Sequence, residues 1–470
     1  MSLITSVFEV LKNFTLNSLG VERDLIKLIQ DKDISKAMEL FENNDEAVKL
    51  AQMEYDPEQH AVMERKNKKR KKNRDDYIVQ KLPRSWQRYI NEIALFFLLA
   101  KPVRFSAEGM EDNKGNDDAF SAFKGFLKDV RFDANMRQFK RLAGAETECA
   151  KLYHLYQDAD GKPAVKIVIL SRATGYYLRP LKDQYQKMVA FGYGYYLKEG
   201  SNTVEHFDIE TPNYIFRCKK SNLGWDVVPE ENKVGKIKII YSKQPTEWDG
   251  VQRRIERDEM IDSKTGDINE YFADPIAMGT TGALENLMDP EQVGKLVRLS
   301  SKDDIFKYVE PPTSLDMKES EKAVLKNSIL QDSFTPDFNF EAMTGMGTLS
   351  GEALRRALIL GYIKRDNRKE IYDELMDREI SLILAIMTKV THIGQVGLKD
   401  LKVTHEFAEP FDEDMTARVS MISDAYTGGV LSLEQAVKML GFASDVKAEI
   451  EMIKADQATK QPSKKLQNEV

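Results

Sequence analysis

Three features of these 470 residues predict an α+β chain. Residues 148–243 hold short β-branched and aromatic runs separated by Asp-Gly and Glu-Gly turns, the pattern of a mostly antiparallel β region. On both sides of that stretch the apolar residues recur at three- and four-residue spacings, which is helical. The length exceeds what a single core organises and implies about two to four structural units. With 42% hydrophobic and 31% charged residues, the chain is well packed and heavily charged at its surface, neither collagen-like nor low-complexity.

Residues 1–58 read as helical, with Leu25, Ile26, Leu28 and Ile29 followed by Ala37, Met38, Leu40 and Phe41, and with Asp33 placed to cap the second helix. The start, MSLITSVFEVLKNF, carries neither the basic region nor the cleavage site of an export signal. Next comes a basic arm in which Arg65, Lys66, Lys68, Lys69, Arg70, Lys71, Lys72 and Arg74 crowd into ten positions. Without them 61 basic residues face 76 acidic ones, so the cations are concentrated here against an acidic background with a net charge of -7. Such an arm contacts phosphates or a partner, or is a solvated face.

A helix is predicted from Tyr77 to Ala100, stopped by Pro102. Its apolar end, Ile93–Ala100, falls well short of the ~20 residues that span a bilayer, and no membrane role is expected. Residues 113–147 return to helix. The β region follows, its strands marked by Tyr153–Tyr156, Val165–Ile169, Tyr195–Leu197, Ile215–Cys218 and Ile237–Tyr241. Cys149 and Cys218 form no CxxC and read as buried small hydrophobes in a reducing compartment. After Gln244-Pro245 a helix runs to about Phe272, and Asp274-Pro275 stops it. Residues 276–313 are small and short-stranded, and a second helix covers Leu315–Ser333. An aperiodic stretch, PDFNFEAMTGMGTLSG, leads to a long helix from Gly351 to about Val390. Ser350 is placed to cap it. Val403–Phe407 reads as a strand, two short helices lie between Asp414 and Asp456, and residues 457–470 form a polar tail.

No catalytic signature is present. The chain lacks a GxxxxGK[ST] loop, a GxGxxG after a strand, HExxH and GxSxG. His60, His154, His206, His392 and His405 have no histidine three or four residues away. The expectation is a protein with no enzymatic activity, no metal and no cofactor.

Four segments in order carry a family resemblance. Residues 55–105 read YDPEQHAVMERKNKKRKKNRDDYIVQKLPRSWQRYINEIALFFLLAKPVRF. An early Tyr, a basic stretch and a helix ending in Lys101-Pro102-Val103 before Phe105 resemble the start of portal proteins of long-tailed, siphovirus-like bacteriophages. Ala100 stands where that family usually has Gly. Lys236–Ile240, followed by Glu256, Met260, Ile261 and Asp262, resembles the strand leading into the portal stem. Ser333–Phe338 with Thr348–Leu354 resembles the family's Ser-x-x-Pro-Asp-Phe and Ser-Gly-x-Ala-Leu pair. Val403–Phe407, Gly428–Ser432 and Asp445–Ile453 resemble its closing strand and helical hairpin.

The resemblance implies a portal-type fold: a helical wing and crown, a central antiparallel β region, a two-helix stem and a small α/β clip. Mapped here, 1–60 is an N-terminal helical segment and 61–244 the wing. The stem helices are 245–274 and 315–333, with the clip at 275–314. The tunnel loop is 334–350, the long wing/crown helix 351–400, and the crown's strand and hairpin 401–456. It further implies a dodecameric ring at one capsid vertex through which double-stranded DNA passes without sequence specificity. Implied partners are the terminase large subunit, major capsid and scaffolding proteins, and a head–tail connector. The place is the virion, after assembly in the host cytoplasm. Phe338, Asn339, Phe340, Met343, Thr344, Gly345 and Met346 would face the DNA. The loop 334–350 has no Lys or Arg, which suits sliding because lysines there would hold phosphates. The alternative is another capsid-assembly protein, a minor capsid or scaffold-like component. A scaffold should be long-helical and polar, which the helix–β–helix order disfavours.

Overall fold

The computed structural model describes residues 20–67, 78–107, 114–273, 277–279, 306–308, 315–339, 351–411, 415–441 and 446–460. Readings that fall elsewhere lie outside the described residues: Lys68, Lys69, Arg70, Lys71, Lys72 and Arg74 of the arm, Phe340–Ser350 of the loop, most of 275–314, and the tail beyond 460. The chain divides into two compact units, Met1–Asp337 with Ile359–Ala408, and Phe338–Leu358 with Glu409–Val470.

The first unit opens with α1 (Val21–Gln30), α2 (Ile34–Glu39) and α3 (Asp45–Tyr55). Asp33 caps α2 by accepting from the Lys36 amide at 3.2 Å, as its position predicts. α4 covers Trp86–Leu99 and leads into β1 (Arg104–Ala107). The helix expected from Tyr77 thus begins only at Trp86; Pro83 breaks it, and residues 78–85 are not helical. α5 (Lys114–Asp129) and α6 (Phe132–Glu146) are separated by Arg131, a left-handed corner at φ 53.

Eight strands follow: β2 (Glu148–Gln157), β3 (Pro163–Leu170), β4 (Tyr177–Lys182), β5 (Met188–Glu199), β6 (Asn202–Glu210), β7 (Tyr214–Ser221), β8 (Gly224–Glu231) and β9 (Ile239–Lys243). They form an antiparallel sheet in the order β4-β5-β6-β7-β8 and a three-stranded sheet in the order β3-β2-β9. One face of the larger sheet packs Tyr177, Phe207, Phe216 and Trp225 under Leu25, Ile29, Ile34 and Phe41 of the N-terminal helical region. The other face sets Leu178, Phe191 and Tyr193 against Leu152, Ile237, Ile239 and Tyr241. Gly194 is a seat for the Tyr177 ring, since a Cβ there would come within 1.9 Å of it. Cys149 and Cys218 are free and buried, as expected.

After the sheets come α7 (Gln252–Ala273), the short antiparallel pair β10 (Ala277–Gly279) and β11 (Phe306–Tyr308), and α8 (Leu315–Asp332). α9 (Gly351–Ala357) belongs to the second unit. The chain returns to the first unit as α10 (Ile359–Ile386), ending in a π turn at Met387–Thr391. β12 (Val403–Glu406) pairs antiparallel with β1, so Phe105 lies opposite His405. Two segments that carry the family resemblance, some 300 residues apart, therefore meet in one ribbon. The second unit adds α11 (Met415–Thr427), α12 (Leu433–Leu440) and α13 (Val446–Lys460), three helices where two were expected.

The main core joins α4, α5, α6, β2 and α10 through Leu95, Phe123, Phe139, Tyr153, Tyr372 and Ile383. Beside it sits a buried charge cluster. Glu247 Oε1 accepts from Arg368 Nε at 3.0 Å, from Gln244 Nε2 at 3.0 Å and from Lys140 Nζ. Lys364 Nζ lies 3.5 Å from the second carboxylate oxygen and donates to the backbone oxygens of Glu247 (2.8 Å) and Ser333 (2.9 Å). Burial by itself would raise the Glu247 pKa, but Lys140, Lys364 and Arg368 outweigh it and hold the carboxyl far below its usual range. Burial drives the Lys364 ammonium down to about 8 against the pull of Glu247.

Removing the hub should cost more than removing one spoke. Glu247→Ala strands buried cations and is expected to destabilise the fold by roughly 3–5 kcal/mol. Lys140→Met leaves Lys364 and Arg368 to neutralise Glu247 and should cost clearly less. Denaturant unfolding of both variants checks this, and equal losses would show that Glu247 is not the centre of the cluster.

Candidate functional site

α7 and α8 form a hairpin rooted in the first unit. They run antiparallel: Arg254 meets Asp332 at 2.5 Å, Arg257 meets Glu321 at 2.7 Å, and Asp262 pairs with Lys322. The root is apolar, with Val251, Ile255, Ile329 and Leu330 buried against Trp86, Ile90 and Trp248. Away from the root α8 is bare, and Met317 and Val324 are 76% and 62% exposed.

One flank of α7 carries Asp258, Glu259, Asp262, Ser263, Asp267 and Glu270. Those positions, three or four residues apart, share a helix face. The segment 78–86 lies along that face as a strap running opposite to the helix. Gln80 N donates to Asp267 Oδ1 at 2.7 Å, Leu82 N to Ser263 Oγ at 2.9 Å, and Arg84 N to Glu259 Oε1 at 2.9 Å. Every second strap residue meets every fourth helix residue because the steps agree: two extended residues advance ~6.6 Å and four helical ones ~6.0 Å. Pro83, with no N–H to give, occupies an intervening position. Side chains reinforce the fit, with Arg84 Nε on Asp262 at 2.6 Å and Trp86 Nε1 on Asp258 at 3.0 Å.

The described residues that precede and follow 68–77 are tied together at this strap. Arg65 Nη2 donates to Asp267 at 2.6 Å and its other nitrogen to the Gln80 carbonyl. Lys81 donates to the Met63 carbonyl at 2.7 Å, and Val79 N to Asn67 Oδ1 at 3.3 Å. Arg65, counted with the arm, is thus largely buried and committed to α7, whereas Lys66 is exposed. Sequence spacing held no signal for this pair, whose members are 202 residues apart.

His60 pins the other end of the acidic face. Its Nδ1 lies 2.6 Å from Glu259 Oε1 and its Nε2 2.8 Å from the Glu54 carbonyl oxygen. Both partners only accept, so making both bonds requires the doubly protonated imidazolium. Burial pulls the ring's pKa down, but the hydrogen bond and charge of Glu259 prevail and hold it above the ordinary value.

α8 ends in a Schellman turn: Thr335 N donates to Leu330 O at 2.8 Å and Phe334 N to Gln331 O at 3.1 Å, with Phe334 at φ 51 where glycine is usual. The start of the predicted loop is held by Tyr89 OH on the Pro336 carbonyl at 3.0 Å. Asp337 pairs with Lys326 at 2.7 Å, so part of the loop's negative charge is neutralised. Phe338 and Asn339 follow as half-buried, irregular backbone; Phe340, Met343, Thr344, Gly345 and Met346 lie outside the described residues. Among the described residues there is no group of three or more potential metal ligands, and no helix is long and apolar enough to cross a membrane.

The sign of the His60 effect is fixed by its raised pKa. The pair's stabilisation is complete below the unfolded value of about 6.5 and is lost as pH rises through the higher folded value. The stability gap between the wild type and His60→Gln should therefore be larger near pH ~6 than near pH ~9. A gap in denaturant unfolding that does not change with pH would mean that the buried ring is neutral.

No curated protein matches the chain. Among solved structures, a chain of one described as the neck of a native GTA particle computed with C12 symmetry is similar at 10% identity. The similarity covers 76% of this chain and 90% of that one, with a TM-score of 0.43. The sequence matches the family model for phage portal protein, SPP1 Gp6-like, over residues 29–463. That span takes in the strap, both helices of the hairpin, the loop after α8 and the β1–β12 ribbon, and the chain belongs to this family of phage portal proteins.

Proposed function

We propose that this portal protein acts as one subunit of a closed ring, a dodecamer, forming the DNA channel at a single capsid vertex. In this reading it has no enzymatic activity. It docks the terminase large subunit during packaging and a head–tail connector afterwards, and it meets the major capsid and scaffolding proteins as the particle assembles in the host cytoplasm. α7 and α8 are the stem, 275–314 the clip, 334–350 the tunnel loop, and the C-terminal helices the crown. The observation that carries the reading is the family match across nearly the whole chain. The hairpin supports it: a firmly rooted helix pair whose outer part buries little needs neighbours, and a ring supplies them on both sides.

The basic arm is assigned to partner contact, now without Arg65. Lys66, Lys68, Lys69, Arg70, Lys71, Lys72 and Arg74 remain for it, and Arg65 before them and Gln80 after them both bond to Asp267 of α7.

Ring formation is tested by mass. Twelve copies of 53.8 kDa give about 650 kDa by native mass spectrometry, with a central hole in negative stain. A monomer that persists at all concentrations and salts, and stays inert to assembly partners, would sink the reading.

The loop is tested by charge. Thr344→Lys with Met346→Lys should add phosphate contacts in every subunit. DNA retention should rise at low salt and fall steeply as salt increases, packaging should slow, and assembly should stay normal. Unchanged packaging at low ionic strength would remove this segment from the channel.

A further inference from the structure

β1, the C-terminal half of α5 and the first turn of α6 enclose a pocket of about 380 Å³ on the first unit. Its floor is apolar and stiff. The Phe105 ring stands edge-on to Phe123 at 5.7 Å and to Phe132 at 5.6 Å, and Leu127 completes the lining. Its rim is cationic. Lys124 and Lys128, four residues apart on α5, share a helix face, and Arg131 sits at the left-handed corner between the helices.

These cations are not spent on carboxylates of the chain, as several others are. Arg84, Arg141, Arg179, Arg217, Arg254 and Arg257 all pair with carboxylates. Among the described residues no ion pair involves Lys124, Lys128 or Arg131; Lys124 instead lies 4.3 Å over the Phe120 ring. The one carboxylate on the lining, Asp133, accepts a hydrogen bond from the Val103 backbone. A chain with net charge -7 keeps three exposed cations around an apolar hole whose lining holds a single, already engaged carboxylate.

We propose that this pocket docks an acidic segment of another protein, with one aliphatic or aromatic side chain entering the floor and flanking carboxylates meeting Lys124, Lys128 and Arg131. The pocket's volume lies at the small end of ligand sites, enough for a single anchor group. Charge complementarity selects the acidic flanks, and the hydrophobic floor distinguishes the partner from nucleic acid. Duplex DNA presents phosphates on a convex surface and has no apolar group to fill the hole, so it would leave Phe105, Leu127 and Phe132 unused. The inference is independent of the ring reading, because the pocket is complete within one chain.

The test uses the full-length protein against an array of octapeptides. Each has four Asp or Glu residues and one Phe, Leu, Trp or Met anchor placed at every other position in turn, with Gly and Ser elsewhere. Bound peptides are then measured by fluorescence polarisation. The expected result is binding that loses at least about tenfold in affinity when the anchor becomes Gly or the acids become Ser. Ala134→Trp, which fills the pocket from α6, and Lys124→Glu with Lys128→Glu should each weaken it about tenfold, with unchanged thermal melts. Lys162→Glu, on the β2–β3 turn, should not. Two independent variants guard against one that folds poorly. The proposal is overturned if no acidic peptide binds better than its lysine counterpart, or if binding survives both variants. It is equally overturned if a short DNA duplex binds through the same lysines more tightly than any peptide.

Discussion

The attraction between Glu247 and its three cations, two of them buried, is the constraint on which the rest of the first unit depends. Glu247 lies in the turn that leads to α7, Lys140 on α6, and Lys364 and Arg368 on α10. Lys364 also reaches the Ser333 carbonyl at the end of α8. One carboxylate thus fixes where both helices of the hairpin begin and end relative to the long helix behind them. Replacing such a cluster with apolar residues is often neutral for stability. What the cluster adds is position: it ties α6, the turn before α7, the end of α8 and α10 to one point.

From that root the hairpin is held differently on its two flanks. On one flank the strap's backbone amides and Arg84, with Arg65 and His60 beside it, engage the acidic face of α7. On the other α8 pairs with α7 through surface ion pairs, which are weak individually, and leaves Met317 and Val324 exposed. The firm flank faces this chain and the weak one is open. A ring reading gains from that asymmetry, since a subunit must be rigid where it belongs to itself and incomplete where it meets a neighbour.

Much of this was legible in the sequence, and what was missed has physical causes. Asp274-Pro275 and Thr335-Pro336 mark the ends of α7 and α8 to within three or four residues, because proline punctuates locally. The strands β4, β6 and β8 were not among the segments marked by β-branched runs. β4 and β6 carry Arg179, Asp208, Glu205 and Glu210, which look like surface charges in sequence and are satisfied by Asp45, Arg217, Lys220 and Lys238 from elsewhere in the chain. The strap looks helical in sequence because the apolar pattern of α4 continues backwards across Pro83. Arg65 looked like one more cation in a run, and only the fold brings Asp267 to it. Local rules found the punctuation; the long-range charge pairs that decide the site leave no local trace.

The agreement between strap and helix is close but incomplete, which makes the pair a vernier. Each rung accumulates ~0.6 Å of mismatch between an extended step and its helical counterpart. Across the rungs at Asp267, Ser263 and Glu259 the drift is ~1.2 Å in total, small enough to share among hydrogen bonds without breaking one. Twice as many rungs would carry the last donor beyond reach. A strap of this kind therefore has a natural maximum length. Its end at Arg84, followed by the turn into α4 at Trp86, falls inside that limit, so all three rungs are kept.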